Sequence, residues 1–351
     1  MISAKVLFIA PMNAKGGIGA VLDLYAQQFE SFDVLYTYSE NKSVSRIPFY
    51  LKALSKLIQK LRSDASIDIV HIHTASNGSF YRKSIVLLIA KWYGKKTVMH
   101  IHGGGFKEFY NNSLFRNILI KPILNTADQV ICLSDVWHEF FSNHLQLKNA
   151  VVLPNPISLP RIQPKEFESS RFELIFFGAV VASKGIFDLV NYLASNRYFI
   201  EGKIILHVCG AGELEELKSI VSLHHLEKKV FIHGWTSGSI KVNLFHHADI
   251  FILPSYAEGL PMSILEAMSF GKPIIATKVG GVPSLVHPQY NGWLYDSNNI
   301  QELTQVFDDL FSNPEQLTSF GQHSRQLSLA YDIHTVGNKL QDIYTTILSK
   351  K

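Results

Sequence analysis

The sequence is poor in cysteine and contains no metal-ligand spacing. Its 351 residues include only two cysteines, Cys132 and Cys209. Both lie in apolar runs typical of strands, so we expect buried thiols in a reducing compartment and no disulfide framework. No group of histidine, cysteine and carboxylate residues has the spacing of a zinc site, so we expect no bound metal ion.

Long apolar runs are also missing. The longest, SIVLLIA, is far shorter than a membrane span, and the first strand-like run begins too early for a signal peptide. We therefore expect a cytoplasmic protein. Apolar residues make up 47% and charged residues 18% of the chain, which is typical of a globular protein. A chain of 351 residues is longer than the chains that usually fold around a single hydrophobic core, so two domains are expected.

Several short functional motifs do not occur. The first strand-like run is not followed by G-x-G-x-x-G, and there is no G-x-x-x-x-G-K-[ST], which argues against a dinucleotide-binding enzyme and a P-loop enzyme. HGGG at 102–105 matches the oxyanion loop of lipases, but that class also needs G-x-S-x-G, which the chain lacks. A hydrolase of that class is excluded.

The basic residues are concentrated in the first half of the chain. Residues 1–156 contain 17 Lys and Arg against 10 Asp and Glu, and residues 42–62 contain six basic and no acidic residues. Four apolar residues recur at helical spacing: Leu51, Leu54, Ile58 and Leu61. Three lysines lie along an adjacent stripe of the same predicted helix: Lys52, Lys56 and Lys60. Two interpretations stay open, a basic amphipathic helix on an anionic membrane surface, or a surface helix packed on its own sheet.

Short strand-like runs alternate with helix-length segments along the chain. Ten runs are identified: KVLFIAP, DIVHIHT, TVMHIHG, QVICLS, AVVLPNP, ELIFFGAV, IILHVCG, VFIHGW, IFILPS and PIIATKVGG. This alternation predicts an α/β protein of two doubly wound Rossmann-like domains facing across a cleft. Four prolines mark a linker at 153–170, which gives domains 1–156 and 157–335. A last helix at 336–351 can pack on either domain.

Two carboxylates stand out in SYAEGLPMSILEAMSFGKPIIAT, residues 255–277. Glu258 lies in a turn after a strand, and Glu266 lies in an otherwise apolar helix that begins near Pro261. The start of that helix attracts phosphate, and Glu266 lies about 7.5 Å further along its axis. The pair can therefore hold two hydroxyl-bearing parts of one elongated ligand. The alternative is a solvated loop residue and a surface helix position.

The two glutamates, with seven residues between them, resemble the E-x7-E signature of retaining glycosyltransferases of family 4, which have the GT-B fold. The resemblance covers nearly the whole chain and includes further motifs in the same order: GGIG at 16–19, MHIHGGGF at 99–106, LPNP, GAVVASKG at 178–185, CGAGE at 209–213 and VGGVPSLVHPQYNGWLYD at 279–296. The resemblance therefore implies two GT-B domains with the donor site in the second.

The resemblance also implies roles for individual residues. Glu258 would contact the donor sugar, Glu266 the ribose, and His102 the sugar near the reacting carbon. Lys184 and the Gly16-Gly17 loop would neutralise the diphosphate. The backbone of Gly259 and Leu260 would hold the diphosphate, and the remaining donor pocket would include Gly178, Gly210, Trp235 and Met262.

Four histidines lie within predicted strands, where a packing role with satisfied hydrogen bonds is the common case: His71, His73, His100 and His207. We expect that role for them. His73, near a strand end, is also a second-rank candidate for the acceptor side.

The function implied is transfer of a hexose from a nucleotide diphosphate sugar, UDP-linked, to a saccharide or lipid-linked acceptor in cell-surface polysaccharide synthesis. No metal, other cofactor or nucleic acid is expected, and contact of the basic helix with lipid would make the protein peripheral on the inner face of the cytoplasmic membrane. Ala179 replaces an arginine that family members usually use to clamp phosphate. The alternatives are a sugar-nucleotide epimerase, a phosphorylase, or a non-catalytic binding subunit.

Overall fold

The computed structural model describes residues 4–12, 17–30, 32–39, 45–112, 114–162 and 171–350. The chain divides into two units. The first unit contains Met1–Pro156 and Tyr331–Lys351, and the second contains Ile157–Ala330. The expected linker at 153–170 overlaps this division, and its residues 163–170 lie outside the described part of the chain.

The first unit has a parallel sheet with the strand order β2-β1-β3-β4-β5-β6. Its strands are β1 Val6–Met12, β2 Asp33–Ser39, β3 Ile69–Thr74, β4 Lys96–Ile101, β5 Gln129–Cys132 and β6 Ala150–Val152. Its helices are α1 Gly17–Tyr25, α2 Arg46–Ser63, α3 Gly78–Trp92, α4 Phe106–Asn111, α5 Leu114–Thr126 and α6 Asp135–Glu139, followed by a π-helical turn at Phe140–His144.

The second unit has a parallel sheet with the strand order β12-β11-β10-β7-β8-β9. Its strands are β7 Phe172–Phe177, β8 Ile204–Cys209, β9 Val230–Gly234, β10 Ile250–Leu253, β11 Ile274–Thr277 and β12 Gly292–Tyr295. Its helices are α7 Ile186–Ser195, α8 Arg197–Ile200, α9 Leu214–Leu223, α10 Gly238–His247, α11 Met262–Ser269, α12 Ile300–Ser312 and α13 Gln316–Ser328. Three 3₁₀ turns lie at Ala182–Lys184, Val282–Ser284 and Leu329–Tyr331.

The last helix, α14 Ile333–Ser349, belongs to the first unit and packs on α1. Its side chain cap is Asp332, which accepts a hydrogen bond from the backbone N–H of His334 at 3.0 Å. Tyr344 of α14 is fully buried. Of the two packing alternatives for this helix, the structure has the one on the first unit.

Apolar β-rich runs explain why the strands form where they do. Residues 6–10 of β1 are buried, as are all residues of β3, β5, β10 and β11. Strands covered on both faces need continuous apolar sequence, and burial of each large apolar side chain contributes roughly 1.5 to 3 kcal/mol. Both cysteines are buried and free.

The prediction of two doubly wound α/β domains is confirmed. All ten predicted strands occur, and the sequence analysis missed β2 and β12. Each missed strand lies at an edge of its sheet, where one side has no neighbouring strand. β2, with the sequence DVLYTYS, mixes polar and apolar residues, and β12, with the sequence GWLY, has no β-branched residue. Neither has the apolar run that identifies a central strand.

The apolar stripe predicted for α2 is only partly buried. Leu61 is buried together with Ala53 and Leu57, and Leu54 is half-buried against the core. Leu51, in contrast, is 59% exposed and lies on the outer side of the helix. Residues 42–44 of the predicted basic segment are outside the described chain. Among the described helices, none combines the length and the apolar character that crossing a bilayer requires.

Candidate functional site

The strand order of the second unit brings two loops together at the carboxyl edge of its sheet. β7 and β10 are neighbours, but the chain leaves β7 towards β8 and leaves β10 towards β11. Open α/β sheets bind ligands at the point where the strand order reverses in this way. Lys184 lies in the loop after β7, and Glu258 lies in the loop after β10.

Lys184 and Glu258 form a direct ion pair. The Lys184 Nζ atom lies 2.5 Å from Glu258 Oε1, and the Ser255 hydroxyl donates to the same oxygen at 2.7 Å. Glu258 is only 7% exposed. A carboxylate buried to this extent needs such partners because it has lost most of its hydration. The structure thus brings together two of the three predicted catalytic residues.

Close backbone contacts fix the two loops. The N–H of Tyr256 donates to the carbonyl of Ser183 at 3.0 Å. Gly185 has a φ of +66°, and a Cβ atom there would lie 2.0 Å from the Pro254 carbonyl oxygen. Glycine is therefore required where the β7 loop passes the β10 loop.

Gly280 makes a similar contact behind Glu258. Its φ is +51°, and an added Cβ atom would lie 1.7 Å from the carbonyl oxygen of Glu258. The next residue, Gly281, donates its N–H to the carbonyl of Gly259 at 2.9 Å. The VGG sequence thus supports the turn that presents the glutamate.

Glu266 lies on α11 and has a different partner. The Lys241 Nζ atom, from α10, lies 2.6 Å from Glu266 Oε1. Both side chains keep about a quarter of their surface exposed (28% and 26%). Lys241 also lies 5.5 Å from the centre of the Phe177 ring. The charge within the apolar helix sequence is therefore balanced by an ammonium group.

Other predicted donor residues follow the same strand ends. Gly178 comes directly after β7, Gly210 directly after β8, and Trp235 directly after β9. Backbone hydrogen bonds join these loops, from Gly178 N–H to the Cys209 carbonyl at 3.0 Å and from Gly210 N–H to the Gly234 carbonyl at 2.7 Å.

The start of α11 contains the remaining predicted donor residues of this unit. Gly259 and Leu260 precede Pro261, which is the N-cap residue, and Met262 is the first residue of the helix. Leu260 is buried, which anchors the turn. The amides of this first helical turn lie at the carboxyl edge of the sheet, because the loop that contains them follows β10.

Ala179 is exposed at the position where family members usually carry arginine. Three arginines of the second unit bind elsewhere: Arg171 to Glu173, Arg197 to Asp308, and Arg325 to the carbonyls of Ser269 and Pro160. The cations that contact the two predicted glutamates are therefore Lys184 and Lys241.

His102 and His73 lie together in the first unit. His102 follows β4 directly, and its Nε2 atom lies 2.8 Å from Nδ1 of His73 near the end of β3. Burial lowers the pKa of His102 to about 3, and a hydrogen bond with Asn155 opposes this shift. His102 is therefore a neutral imidazole at physiological pH. Gly17 begins α1, and Gly16 lies outside the described residues.

The expectation of satisfied packing histidines is wrong for His73 and His100. Both are fully buried, and the Nε2 atom of each has no hydrogen-bond partner. His71 is satisfied, because Nδ1 lies 2.6 Å from the Tyr344 hydroxyl and Nε2 lies 3.1 Å from His100 Nδ1. Burial lowers the pKa of His71 to about 3, and the pKa values of His73 and His100 are also well below 6.5.

One ring nitrogen from each of His71, His73 and His100 lies within 4.8 Å of the other two. They are close enough for one ion, but His71 already uses both nitrogens in hydrogen bonds. Only His73 and His100 keep an open nitrogen, which is fewer ligands than the three or four protein ligands of zinc sites. In the second unit His207 bonds to Glu173 at 3.2 Å and to His233 at 2.9 Å, as expected for a packing histidine.

Sequence reasoning missed three residues that contact the predicted glutamates or their loop: Lys241, Ser255 and Gly280. Lys241 is 25 residues from Glu266 and stands in no motif, so the sequence has no signal for it. Ser255 lies in the same segment as Glu258, and Gly280 lies in the VGG motif. Their sequence distance from Glu258 was the signal that could have identified them as its neighbours.

Comparison with known families and proteins gives consistent matches. The family described as Glycosyl transferases group 1 matches residues 160–327, and Glycosyltransferase Family 4 matches residues 27–161. An Escherichia coli protein, UDP-Gal:alpha-D-GlcNAc-diphosphoundecaprenol alpha-1,3-galactosyltransferase, is 26% identical over 86% of this chain and 81% of its own length. A Campylobacter jejuni protein, N,N'-diacetylbacillosaminyl-diphospho-undecaprenol alpha-1,3-N-acetylgalactosaminyltransferase, is 24% identical over 93% of this chain and 89% of its own.

Solved structures share the fold over nearly the whole chain. HepE of Anabaena in complex with UDP superposes with a TM-score of 0.77 at 18% identity, covering 97% of this chain and 100% of that one. Sucrose-phosphate synthase of Thermosynechococcus elongatus has a TM-score of 0.80 at 15% identity, covering 99% and 100%. At these identities the similarity establishes the fold.

Proposed function

The chain belongs to glycosyltransferase family 4 and is a glycosyltransferase with the GT-B fold, and from this premise we propose that it is a retaining enzyme with a UDP-hexose donor. Its acceptor is a saccharide carried on a lipid diphosphate, and its product serves cell-surface polysaccharide synthesis. The E. coli and C. jejuni relatives support this acceptor class, because both names contain a diphosphoundecaprenol-linked sugar. The HepE complex with UDP supports the nucleotide.

The observation that carries the proposal is the Lys184 and Glu258 pair at the strand-order reversal of the second unit. Both hydrogen bonds to Glu258 use Oε1, so Oε2 can accept a hydrogen bond from a donor sugar hydroxyl. The Lys184 ammonium has three N–H donors and can bind a diphosphate oxygen while it holds Glu258. One ion pair thus positions the sugar and stabilises the charge of the leaving group.

The first turn of α11 is suited to hold the diphosphate. Its free amides and helix dipole favour an anion, and Gly259 and Leu260 lead directly into it. Glu266 follows along the same helix with Oε1 bound by Lys241, so its other oxygen can accept from a ribose hydroxyl. Sugar, diphosphate and ribose then follow one another along the loop and helix.

Retention follows if the acceptor attacks on the face that the diphosphate leaves. The acceptor oxygen bonds to the anomeric carbon as the bond to the diphosphate oxygen breaks, and the acceptor proton passes to the departing diphosphate. Neutral His102 would orient a sugar hydroxyl by exchanging its hydrogen bond to His73 or to Asn155. Positioning and charge stabilisation by these residues supply the rate enhancement, so we propose that no metal ion is needed.

Two helices of the first unit support a peripheral membrane location, on the inner face of the cytoplasmic membrane. Neither α2 nor α3 contains Asp or Glu. On α2, Leu51 and Ile47 are exposed beside Lys52 and Lys56. On α3, four exposed apolar residues recur at helical spacing: Tyr81, Ile85, Leu88 and Trp92. Acid-free helices that expose apolar and basic residues favour an anionic bilayer.

Purified protein incubated with UDP-, GDP- and ADP-hexoses and a lipid diphosphate saccharide tests the proposal. We expect transfer from a UDP-hexose with the anomeric configuration retained, measured by NMR of the product. Glu258→Gln should lower kcat roughly 100-fold or more, because the amide is uncharged and pairs poorly with Lys184. Circular dichroism should show that the variant stays folded.

Several outcomes would contradict the proposal. Conversion of the donor alone to another sugar nucleotide would indicate an epimerase, and an inverted product would exclude retention. Donor binding with no transfer to any acceptor would indicate a binding subunit. Turnover of Glu258→Gln at the wild-type rate would remove the assigned role.

A further inference from the structure

A group of cations lies at the carboxyl edge of the first sheet and is not used by the donor site. Arg46 is the first residue of α2, which follows β2, and Arg82 and Lys83 lie in the second turn of α3, which follows β3. Tyr38 is the last residue but one of β2. Because the sheet is parallel, segments that follow its strands begin at one edge.

The cations converge on one aromatic ring. The guanidinium carbon of Arg82 lies 4.8 Å from the centre of the Tyr38 ring, and that of Arg46 lies 5.6 Å from it. Lys83, the neighbour of Arg82, is 2% exposed, and its Nζ donates to the Thr37 hydroxyl. Three basic groups therefore lie around the end of β2.

These groups have no carboxylate partner among the residues that the structure describes. None of the ion pairs there involves Arg46, Arg82 or Lys83. The Arg82 Nε atom is buried and has no acceptor. Burial lowers the pKa of Lys83 well below its usual value, and the nearby charge of Arg82 lowers it further.

A purely structural role leaves this arrangement unexplained. A cation over an aromatic ring is weakly stabilised at exposed sites, but the ring gives the Arg82 Nε atom no acceptor. Burying a lysine beside an arginine costs stability unless an anion compensates for both charges. The cluster meets the requirements of an oxyanion site, since guanidinium groups bind phosphate with two parallel hydrogen bonds.

The same helix provides a complementary apolar surface. The exposed stripe of α3 starts at Tyr81, next to Arg82, and ends at Trp92, which is 87% exposed. The stripe runs along a helix of 15 residues, a length of about 22 Å. A ligand with an anionic head and a hydrocarbon tail fits a helix that has cations at its start and apolar side chains along its length.

We propose that Arg46, Arg82 and Lys83 bind the phosphate groups of the acceptor lipid, with its hydrocarbon chain along the exposed stripe of α3. The inference rests on the proposed function for the identity of the acceptor and extends it to the residues that bind it. His73, the candidate acceptor-side residue, lies near the carboxyl end of β3, the strand that precedes α3 in the chain. The acceptor diphosphate is thus bound at the same edge of the sheet as His73 and His102.

The test uses farnesyl diphosphate as the probe, with UDP at saturating concentration to fill the nucleotide site. Calorimetry should show binding to the full-length wild type, with affinity lowered about ten-fold or more by Arg82→Gln, since hydrogen bonds to charged groups contribute about 1.5 to 3 kcal/mol. Arg46→Gln combined with Arg82→Gln should lower it further. Lys107→Gln, which removes an exposed lysine of α4, is the matched control and should bind as the wild type does.

Lys83→Met separates ligand binding from folding. We expect weaker binding of farnesyl diphosphate together with an unchanged or higher melting temperature, because a buried amine is replaced by an apolar chain of similar length. A role confined to packing would leave the affinity unchanged. Loss of stability together with unchanged affinity would overturn the assignment of Lys83.

Two further probes, farnesol and inorganic pyrophosphate, distinguish a lipid diphosphate from a free diphosphate as the ligand. Farnesol should bind at least about ten-fold more weakly than farnesyl diphosphate, by the same hydrogen-bond magnitudes. Equal affinity for inorganic pyrophosphate and farnesyl diphosphate would contradict the lipid part of the inference. Unchanged farnesyl diphosphate binding in all variants would overturn the inference alone, whereas a wild type that binds no UDP would count against the proposed function.

Discussion

The two units share one architecture and differ in how their charges are compensated. Both have a sheet of six parallel strands, and the candidate site residues of each lie at its carboxyl edge. In the second unit each predicted glutamate is paired with a lysine, Lys184 with Glu258 and Lys241 with Glu266. In the first unit the same edge has neutral histidines and three basic residues that take part in none of the described ion pairs.

On the proposed function, the sheet determines where the ligands bind and the loops determine which ligands bind. Paired charges provide hydrogen-bonding atoms without a net field, which suits sugar and ribose hydroxyls. Unpaired cations produce a net positive field, which suits phosphate groups. A donor site and an acceptor site can therefore be built on two copies of one topology.

We expect the largest effect on kcat from a substitution that disturbs the backbone contacts around Glu258 in the second unit. Gly280→Ala places a Cβ atom against the Glu258 carbonyl, so the Glu258 loop must move. We expect kcat to fall roughly 100-fold or more, as displacement by about 1 Å can cost that factor. Steady-state transfer assays measure this change.

The matched control is Gly202→Ala. Gly202 also has a positive φ, +75°, but an added Cβ atom there has no neighbour within 4 Å. Its substitution should cost only the backbone strain, about 1 to 2 kcal/mol in stability, and should leave kcat unchanged. Equal loss of activity in both variants would show that backbone strain, and not contact with Glu258, is responsible.

A smaller effect is expected at the membrane surface, which we assign to the first unit alone. Trp92→Ala should weaken binding to vesicles of anionic phospholipid about ten-fold, since burial of a large apolar side chain contributes roughly 1.5 to 3 kcal/mol. Leu51→Ala should act in the same direction. Sedimentation with vesicles measures both.

Leu223→Ala, at an exposed position of α9 in the second unit, is the control for membrane binding. It should bind vesicles as the wild type does. If all three variants bind equally well, the bilayer contact does not involve α2 and α3. If Leu223→Ala is also weakened, the contact is not confined to the first unit.

The buried histidines should make the first unit more sensitive to acid than the second. Burial holds the pKa values of His71 and His102 at about 3, whereas unfolded histidine has a pKa near 6.5. Below pH 6.5 the unfolded state therefore binds more protons, and the free energy of unfolding decreases. The stabilisation is complete above pH 6.5 and is lost progressively towards pH 3.

We expect a loss of about 1 kcal/mol per buried histidine between pH 6.5 and 5.5. Hydrogen exchange followed by mass spectrometry resolves the two units separately. Peptides from β3 and β4 should lose protection before peptides from β10 and β11. Equal loss of protection in both units would mean that the histidine cluster does not determine acid sensitivity.

We expect the smallest effect on the transfer rate from removal of metal ions. If Lys184 and the first turn of α11 stabilise the leaving diphosphate, EDTA should leave the transfer rate unchanged within error. Restoration of lost activity by added Mg²⁺ or Mn²⁺ would show that an ion and not the lysine provides the main charge compensation.

The sequence predicted most of the fold because buried parallel strands need continuous apolar runs. It missed β2 and β12 because edge strands do not have that requirement. The apolar stripe of α2 was predicted only in part: Leu61 is buried but Leu51 is exposed, because helical spacing alone cannot identify which of two adjacent stripes packs inward.

The positions of the candidate site residues could be predicted where one loop or one helix contains them. Glu258 and Glu266 lie within one motif, and strand ends identified His102. Partners from distant parts of the chain were not predictable: Lys241 reaches Glu266 from another helix, and Tyr344 reaches His71 across 273 residues. Such contacts are set by tertiary packing, which local sequence patterns do not encode.

The position of α14 has a consequence for biosynthesis. Tyr344 fills the space beside His71 in the first unit, yet the ribosome makes it after the whole second unit. Domains generally fold as units while the chain emerges. The first unit can therefore be completed only after the second unit has been synthesised, because the contact of His71 with Tyr344 needs α14.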